Sequence, residues 1–160
     1  MRVVLTIAGS DSSGGAGIQA DLKAISACGG YGASAVTAIT AQNTVGVVAA
    51  ESVSPALIEA QIEAVCTDLQ VAAVKTGMLS NVATITAVAR SLHRFPPPHF
   101  VLDPVMISKS GFALLDPAAL DRLRAELLPL ATLVTPNRHE AGALTGVDVR
   151  RPQDAEAAGR

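Results

Sequence analysis

A run of small residues between a predicted strand and a predicted helix is the feature that most constrains the fold of this chain. Val3–Ala8 is apolar and rich in β-branched residues, which predicts a short strand. Gly9–Gly15 consists of glycines and short polar side chains, and Ala16–Cys28 then has the apolar spacing of a helix. Because glycine has no Cβ, such a loop lets backbone N–H groups approach a ligand closely. The stretch therefore predicts an α/β protein with a binding site at the end of its first strand.

The rest of the chain repeats this alternation of strand and helix. Further strands are predicted at Gly32–Thr40, Val71–Thr76, Phe100–Leu102 and Thr132–Thr135, with a strand or hairpin segment within Val45–Val53. Helices are predicted to begin at Ser54, Asn81, Asp116, Asn137 and Arg151. Nearly continuous apolar strands separated by helices predict a mostly parallel sheet with helices on both faces.

Polar or otherwise distinctive residues follow five of these strands, at the point where each strand ends. They are Asp11, Gln42, Lys75 with Met78, Asp103, and Asn137 with Glu140. In open α/β sheets, ligands bind outside the carboxyl ends of the strands, so this pattern predicts a site at that edge. For any single residue, ordinary loop polarity is the alternative explanation.

Composition and charge exclude several classes of protein. The chain has 160 residues, is 49% apolar and carries a net charge of −2, which predicts a globular fold rather than a disordered one. It has no basic face, one Tyr and no Trp, which disfavours nucleic-acid binding. No apolar run reaches the ~20 residues of a membrane span, so we expect a cytoplasmic protein without membrane contact. The two cysteines, Cys28 and Cys66, are predicted to be small buried residues and not a disulfide.

The glycine loop fails two tests for a nucleotide-binding motif. Gly9 and Gly14 have the spacing of a P-loop, but Gly15-Ala16 stands where that motif requires lysine and a hydroxyl residue. Gly15–Ala20 fits a relaxed dinucleotide pattern, but no acidic residue ends the second strand. Both observations disfavour a P-loop enzyme and a dinucleotide-dependent oxidoreductase. A loop that only turns the chain remains an alternative.

Two interpretations of Asn137–Glu140 stay open from the residues alone. An asparagine N-cap with a glutamate three residues later is close to a capping box, which is a purely structural role. An amide and a carboxylate at a helix N-terminus can also hold hydrated Mg²⁺ beside phosphate oxygens. Asp103 ends a buried strand, so its carboxylate needs a partner, for which a metal, a water molecule or a loop amide are candidates.

Five stretches together resemble the hydroxymethylpyrimidine/phosphomethylpyrimidine kinase family of thiamine biosynthesis, within the ribokinase-like superfamily. They are Thr6–Lys23, Thr37–Gly46, Lys75–Leu79, Val101–Gly111 and Thr135–Glu140, in the family's order. The resemblance implies a single three-layer αβα domain over residues 1–160, with a mostly parallel central sheet. It also implies ATP-dependent phosphorylation of 4-amino-5-hydroxymethyl-2-methylpyrimidine and then of its monophosphate, with Mg²⁺, and association into homodimers.

The resemblance also assigns site residues. It places the pyrimidine among Gly9, Asp21, Gln42, Met78 and Val105, with Gln42 pairing with the amino group and ring nitrogen. It places the nucleotide near Asp103 and Lys109, and it gives Asn137 and Glu140 an indirect role in binding Mg²⁺ and phosphate.

One part of the family pattern is missing from this sequence. No Gly-Thr-Gly occurs in residues 1–160, although the family has a Gly-Thr-Gly-Cys anion hole that carries its catalytic residue. We therefore expect a domain that is incomplete at its C-terminal end, has no catalytic residue of its own and has little or no kinase activity. The alternatives are a pyridoxal kinase of the same superfamily and a non-catalytic pyrimidine-binding fragment.

Overall fold

Six strands form one sheet in the computed structural model of the chain, which describes residues 1–108, 111 and 113–159. The strands are β1 (Val3–Asp11), β2 (Tyr31–Gln42), β3 (Val47–Ser52), β4 (Val71–Thr76), β5 (Phe100–Leu102) and β6 (Leu133–Val134). The helices are α1 (Gly17–Ala27), α2 (Pro55–Asp68), α3 (Val82–Arg94), α4 (Leu120–Glu126), α5 (Arg138–Thr145) and α6 (Pro152–Ala158). Two 3-10 turns, Pro117–Ala119 and Leu128–Leu130, flank α4.

The sheet is mostly parallel and has helices on both sides, as the sequence predicts. Its strand order is β3-β2-β1-β4-β5-β6, and only β3 runs antiparallel to its neighbour β2. The carboxyl ends of β1, β2, β4 and β5 therefore meet at one edge of the sheet. The pairing of β1 with β2 shifts register between Ala8 and Ser10, and bulges of this kind often re-aim side chains next to functional sites.

The first strand is longer than predicted. Ser10 pairs with Ile39 and Asp11 pairs with Thr40 on β2, so the strand continues past Gly9 to Asp11. The small polar residues of this segment predict a loop, but hydrogen bonding to a neighbouring strand overrides that local preference. The connecting loop consequently begins only after Asp11.

Side-chain caps confirm three of the predicted helix starts. Ser54 Oγ accepts a hydrogen bond from the Leu57 amide, at 3.4 Å, before α2. Asn81 Oδ1 accepts one from Thr84 at 3.0 Å before α3, and Asp116 caps the 3-10 turn before α4. These bonds satisfy N–H groups that have no partner within the helix.

The main core lies between the sheet and the layer formed by α2, α3 and α4, which pack against one another. Fully buried side chains there include Leu5, Ile58, Ile62 and Val88. The helix α1 packs on β1 and β2 but has no fully buried residue. It approaches β2 closely at Gly32, which has no side chain: a Cβ there would lie only 2.6 Å from Leu22 Cδ2.

The prediction that both cysteines are buried is wrong for Cys28. It is exposed because it caps the end of α1, beyond the last turn that packs on the sheet. Cys66 on α2 is partly buried, and burial raises the pKa of its thiol. Among the helices of the described residues, none is long and apolar enough to cross a membrane.

Replacing Gly17 by alanine should destabilise the fold by about 2 kcal/mol or more, because two costs add. The residue has φ +57°, and its Cβ would lie 2.4 Å from the Gly9 carbonyl oxygen and 3.1 Å from the Asp11 amide nitrogen. Gly29→Ala is the matched control, because Gly29 has φ +77° but open space around its Cβ position. Urea denaturation should show a clearly larger loss for Gly17→Ala, and equal losses would contradict the close contact.

Candidate active site

A cleft of about 520 Å³ opens at the edge of the sheet where the parallel strands end. This volume lies in the range of small-molecule sites. Six of the site residues predicted from the sequence line the cleft: Gly9, Asp21, Gln42, Met78, Asp103 and Val105. Asn137 and Glu140 do not line it, and Lys109 lies outside the described residues.

The wall of the cleft nearest β1 is formed by Met78 lying against Gly9. A Cβ on Gly9 would lie 3.1 Å from Met78 Sδ, so any larger residue there would push the thioether away by a few tenths of an ångström. The Thr37 hydroxyl donates a hydrogen bond to the Met78 carbonyl oxygen at 2.6 Å, from the part of β2 where the register shifts. These contacts hold an apolar, polarizable side chain at the cleft.

Gln42, at the end of β2, is anchored through its backbone to the loop that follows β1. The Ser12 hydroxyl donates to the Gln42 carbonyl oxygen at 2.7 Å and accepts from the Gln42 amide nitrogen at 2.8 Å. The side-chain amide has Thr40 as its neighbour, with 3.2 Å between Thr40 Oγ1 and Gln42 Oε1. The backbone of Gln42 is therefore fixed, while its amide lines the cleft.

A charged cluster joins α1, β4 and the end of β5 at the side of the cleft. Lys75 Nζ lies 3.1 Å from each carboxylate oxygen of Asp21 and 3.2 Å from Asp103 Oδ2. The Thr6 hydroxyl adds a 2.6 Å hydrogen bond to Asp21 Oδ2. The three charged side chains are only 20–30% exposed, so these interactions are less screened than those of surface pairs.

Lys75 is a site residue that the sequence-based assignment missed. Its signals in the sequence are its place among the polar residues at strand ends and its position at the start of the matching stretch Lys75–Leu79. The carboxylate of Asp103 needs a partner, and the ammonium group of Lys75 supplies it. The sequence-based candidates for this partner, a metal, a water molecule or a loop amide, do not include a lysine. With two carboxylates and one ammonium group, the cluster has a formal charge of −1.

Asp11 organises the glycine loop from within. The residue is only 3% exposed, and its carboxylate accepts hydrogen bonds from Ser13 N and Oγ, Gly15 N and Ala16 N, at 2.8–3.1 Å. Burial raises the pKa of this carboxyl, but the hydrogen bonds lower it by more, so its pKa lies below the ordinary value. Gln19 of α1 accepts from the Asp11 amide at 2.8 Å and ties the helix to the end of β1.

Asn137 and Glu140 form the predicted capping box at the start of α5. Asn137 Oδ1 accepts from the Glu140 amide at 3.0 Å, and Glu140 Oε2 accepts from the Asn137 amide at 2.8 Å. Glu140 Oε1 also accepts from the Met106 amide at 3.4 Å, which links α5 to the segment after β5. Among the described residues, no group of three or more His, Cys, Asp or Glu side chains could hold a metal directly.

Replacing Asp11 by asparagine should lower the free energy of unfolding by about 1–3 kcal/mol at pH 7, because an amide NH₂ would face N–H donors. A carboxyl whose folded pKa is depressed stabilises the fold above its unfolded pKa and loses that effect as pH falls through the folded value. The difference between wild type and variant should therefore shrink below about pH 4. Urea titrations across this range measure it, with Asp68→Asn on the exposed surface of α2 as control. A difference that does not change with pH would contradict this role.

Replacing Lys75 by methionine should cost about 1–3 kcal/mol, because it leaves two partly buried carboxylates facing each other without a cation. The matched control is Arg90→Met, which removes an exposed pair with Glu59 and should cost less than about 1 kcal/mol. Denaturation at low and high salt compares the two variants. Equal costs would show that the Lys75 cluster is energetically an ordinary surface pair.

Comparison with known proteins places this arrangement in a family. Residues 11–160 match the family Phosphomethylpyrimidine kinase. A curated hydroxymethylpyrimidine/phosphomethylpyrimidine kinase from Rhizobium meliloti (strain 1021) is 59% identical over 144 residues, covering 90% of this chain and 54% of that protein. The chain thus spans about half the length of this curated relative.

Solved structures agree with the sequence match. The phosphomethylpyrimidine kinase from Clostridium difficile 630 superposes with a TM-score of 0.93 and 51% identity, covering 99% of this chain and 69% of that chain. The pyridoxal kinase from Staphylococcus aureus in complex with pyridoxal gives 0.88 and 35% identity over 99% and 59% of the two chains. The same kinase in complex with ADP gives 0.87 and 37% over 99% and 57%. The sequence match, the fold and the cleft at the strand ends agree that this chain belongs to the phosphomethylpyrimidine kinase family.

Proposed function

We propose that this chain carries the pyrimidine-binding part of an ATP-dependent kinase. The substrate is 4-amino-5-hydroxymethyl-2-methylpyrimidine, which is phosphorylated on its hydroxymethyl group, and the monophosphate is then phosphorylated again. Membership of the family supports this reaction. The observation that carries the proposal is the Gln42 amide at a cleft with apolar walls.

The chemistry of the cleft suits a flat aminopyrimidine. Its ring presents an amino donor next to a ring-nitrogen acceptor, and a primary amide offers the matching acceptor and donor. Met78 and Val105 supply apolar surface for the ring faces, and Gly9 lines the cleft with backbone while Met78 lies against it. Few polar groups among apolar walls are typical of sites that orient a small ligand.

Asp21 and Asp103 set the charge on two sides of the proposed site. Asp21 lies on the substrate side and Asp103 on the nucleotide side, and Lys75 holds both. Phosphoryl transfer depends mainly on positioning and on charge neutralisation, so a fixed cluster here would orient the acceptor hydroxyl. The ADP complex of the related pyridoxal kinase supports a nucleotide partner, and ATP with Lys109 near it completes this part of the proposal.

Asn137 and Glu140 fit an indirect role in binding Mg²⁺. A carboxylate has about four acceptor positions. Two of those on Glu140 are used by backbone N–H groups, which leaves positions for water molecules of a hydrated ion. When bound, Mg²⁺ would neutralise phosphate charge, while these two residues keep the start of α5 in place.

Pyridoxal is the second candidate substrate, because the related Staphylococcus aureus kinase was solved in complex with it. Pyridoxal is also a flat heteroaromatic ring with a hydroxymethyl group, but it has no amino group beside a ring nitrogen.

A cytoplasmic location and a homodimer are further parts of the proposal. The strand β3 lies at one edge of the sheet, where Val48 on β3 and Val45 just before it are both exposed. These exposed apolar side chains support association with a second copy.

Isothermal titration calorimetry should detect binding of the aminopyrimidine, and Gln42→Leu should weaken it roughly 10–100-fold through the loss of two hydrogen bonds. Gln70→Leu, at an exposed position outside the cleft, is the control and should bind as wild type does. Pyridoxal should be titrated in parallel, because binding separates the two substrates even where the chain has little or no turnover. Tighter binding of pyridoxal would favour the second candidate, and unchanged affinity in Gln42→Leu would contradict the proposed pyrimidine site.

A further inference from the structure

We propose that Thr40 is a positioning residue that determines specificity by fixing which way the Gln42 amide faces. This inference rests on the proposed function, because it concerns how the pyrimidine is recognised. Thr40 is 6% exposed and lies two residues before Gln42 on β2, so both side chains are on the same face of the sheet. Its Oγ1 lies 2.9 Å from the Ser10 carbonyl oxygen and 3.2 Å from Gln42 Oε1.

The Thr40 hydroxyl faces two oxygens but has only one proton to donate. The Ser10 carbonyl can only accept, and it is the nearer of the two. If the hydroxyl donates to Ser10, it can only accept from Gln42, so an amide N–H must face it. A half-turn about Cγ–Cδ of Gln42 exchanges the amide oxygen and nitrogen at almost constant shape. All three groups are then satisfied in one chain of hydrogen bonds, from Gln42 Nε2 to Thr40 and from Thr40 to Ser10.

This orientation decides what the amide offers to a ligand. One Nε2 hydrogen points to Thr40, and the other lies on the same edge as Oε1, which therefore presents an acceptor beside a donor. An aminopyrimidine pairs with that edge through its amino N–H and its ring nitrogen. A half-turn of the amide would reverse the order of acceptor and donor along the edge. The ring would have to turn over to keep both bonds, and its hydroxymethyl group would then point elsewhere.

The side-chain amide is the remaining freedom of Gln42. Ser12 fixes its backbone through both the amide nitrogen and the carbonyl oxygen. Within the described part of the chain, Thr40 is the residue that hydrogen-bonds its side chain. Thr40 is therefore placed to select the 4-amino compound over its 4-oxo analogue, which presents an acceptor where the amino group has a donor.

NMR of the ligand-free protein tests the orientation without depending on the proposed function. A nuclear Overhauser effect between one Gln42 Hε2 and the Thr40 side chain is expected, because an N–H faces the hydroxyl. Thr40→Val should remove the hydrogen bond and shift that amide resonance. Absence of the effect, with both side chains assigned, would overturn the inference.

Calorimetry tests the consequence for specificity, with the 4-amino pyrimidine and its 4-oxo analogue as the two ligands. Wild type should prefer the amino compound by roughly 10–100-fold, Thr40→Val should reduce that ratio about tenfold, and Thr40→Ser should restore it. A ratio that survives in Thr40→Val, or equal weakening of both ligands, would overturn the role in specificity. If wild type binds neither pyrimidine, the proposed function fails, while the NMR result still decides the orientation of the amide.

Discussion

The parallel pairing of β1 with β2 on one side and β4 on the other is the constraint on which the rest of this structure depends. Backbone N–H and C=O groups in a buried strand must be paired, and β1 meets this need by pairing in parallel with β2 and with β4. Since all three strands run the same way, Asp11, Gln42 and Lys75 arrive at one edge although they are far apart in the chain. The cleft is a consequence of that pairing, and the helices need only cover the faces of the sheet.

The same pairing explains why charge can be kept partly buried beside an apolar wall. Lys75 sits at the end of β4, next to β1, and reaches both Asp21 on α1 and Asp103 after β5. Each carboxylate alone would be costly at this exposure, but a shared ammonium group and the Thr6 hydroxyl offset the loss of water. The cluster also connects the two sides of the proposed site, so a shift of α1 relative to β5 would strain the ion pairs. This connection suits a reaction that depends on the relative position of two ligands.

Features that depend on neighbouring residues in the chain could be predicted from the sequence, and features that depend on distant contacts could not. The boundaries of β4 and β5 and the capping box at Asn137 are correct because local patterns and short-range hydrogen bonds determine them. The extension of β1 to Asp11 was missed because it follows from pairing with β2. The ion pair of Lys75 with Asp21 joins residues 54 positions apart, and no local pattern announces it. The sequence singles out Asp21, Asp103 and Lys75 separately, but only the structure shows that Lys75 pairs with both carboxylates.

The glycine loop has a different role from the one its composition first indicates. A phosphate-binding loop offers backbone N–H groups to an external anion. Here the amides of Gly15 and Ala16 donate to the carboxylate of Asp11, so an anion of the chain itself already occupies them. That internal anion fixes the loop before any ligand arrives, and the glycines on either side serve close packing instead. Gly17 lets α1 begin against the end of β1, and Gly9 lets Met78 lie over the strand. The loop is thus a wall of the cleft held by its own hydrogen bonds, which suits contact with a flat neutral ring better than capture of a phosphate.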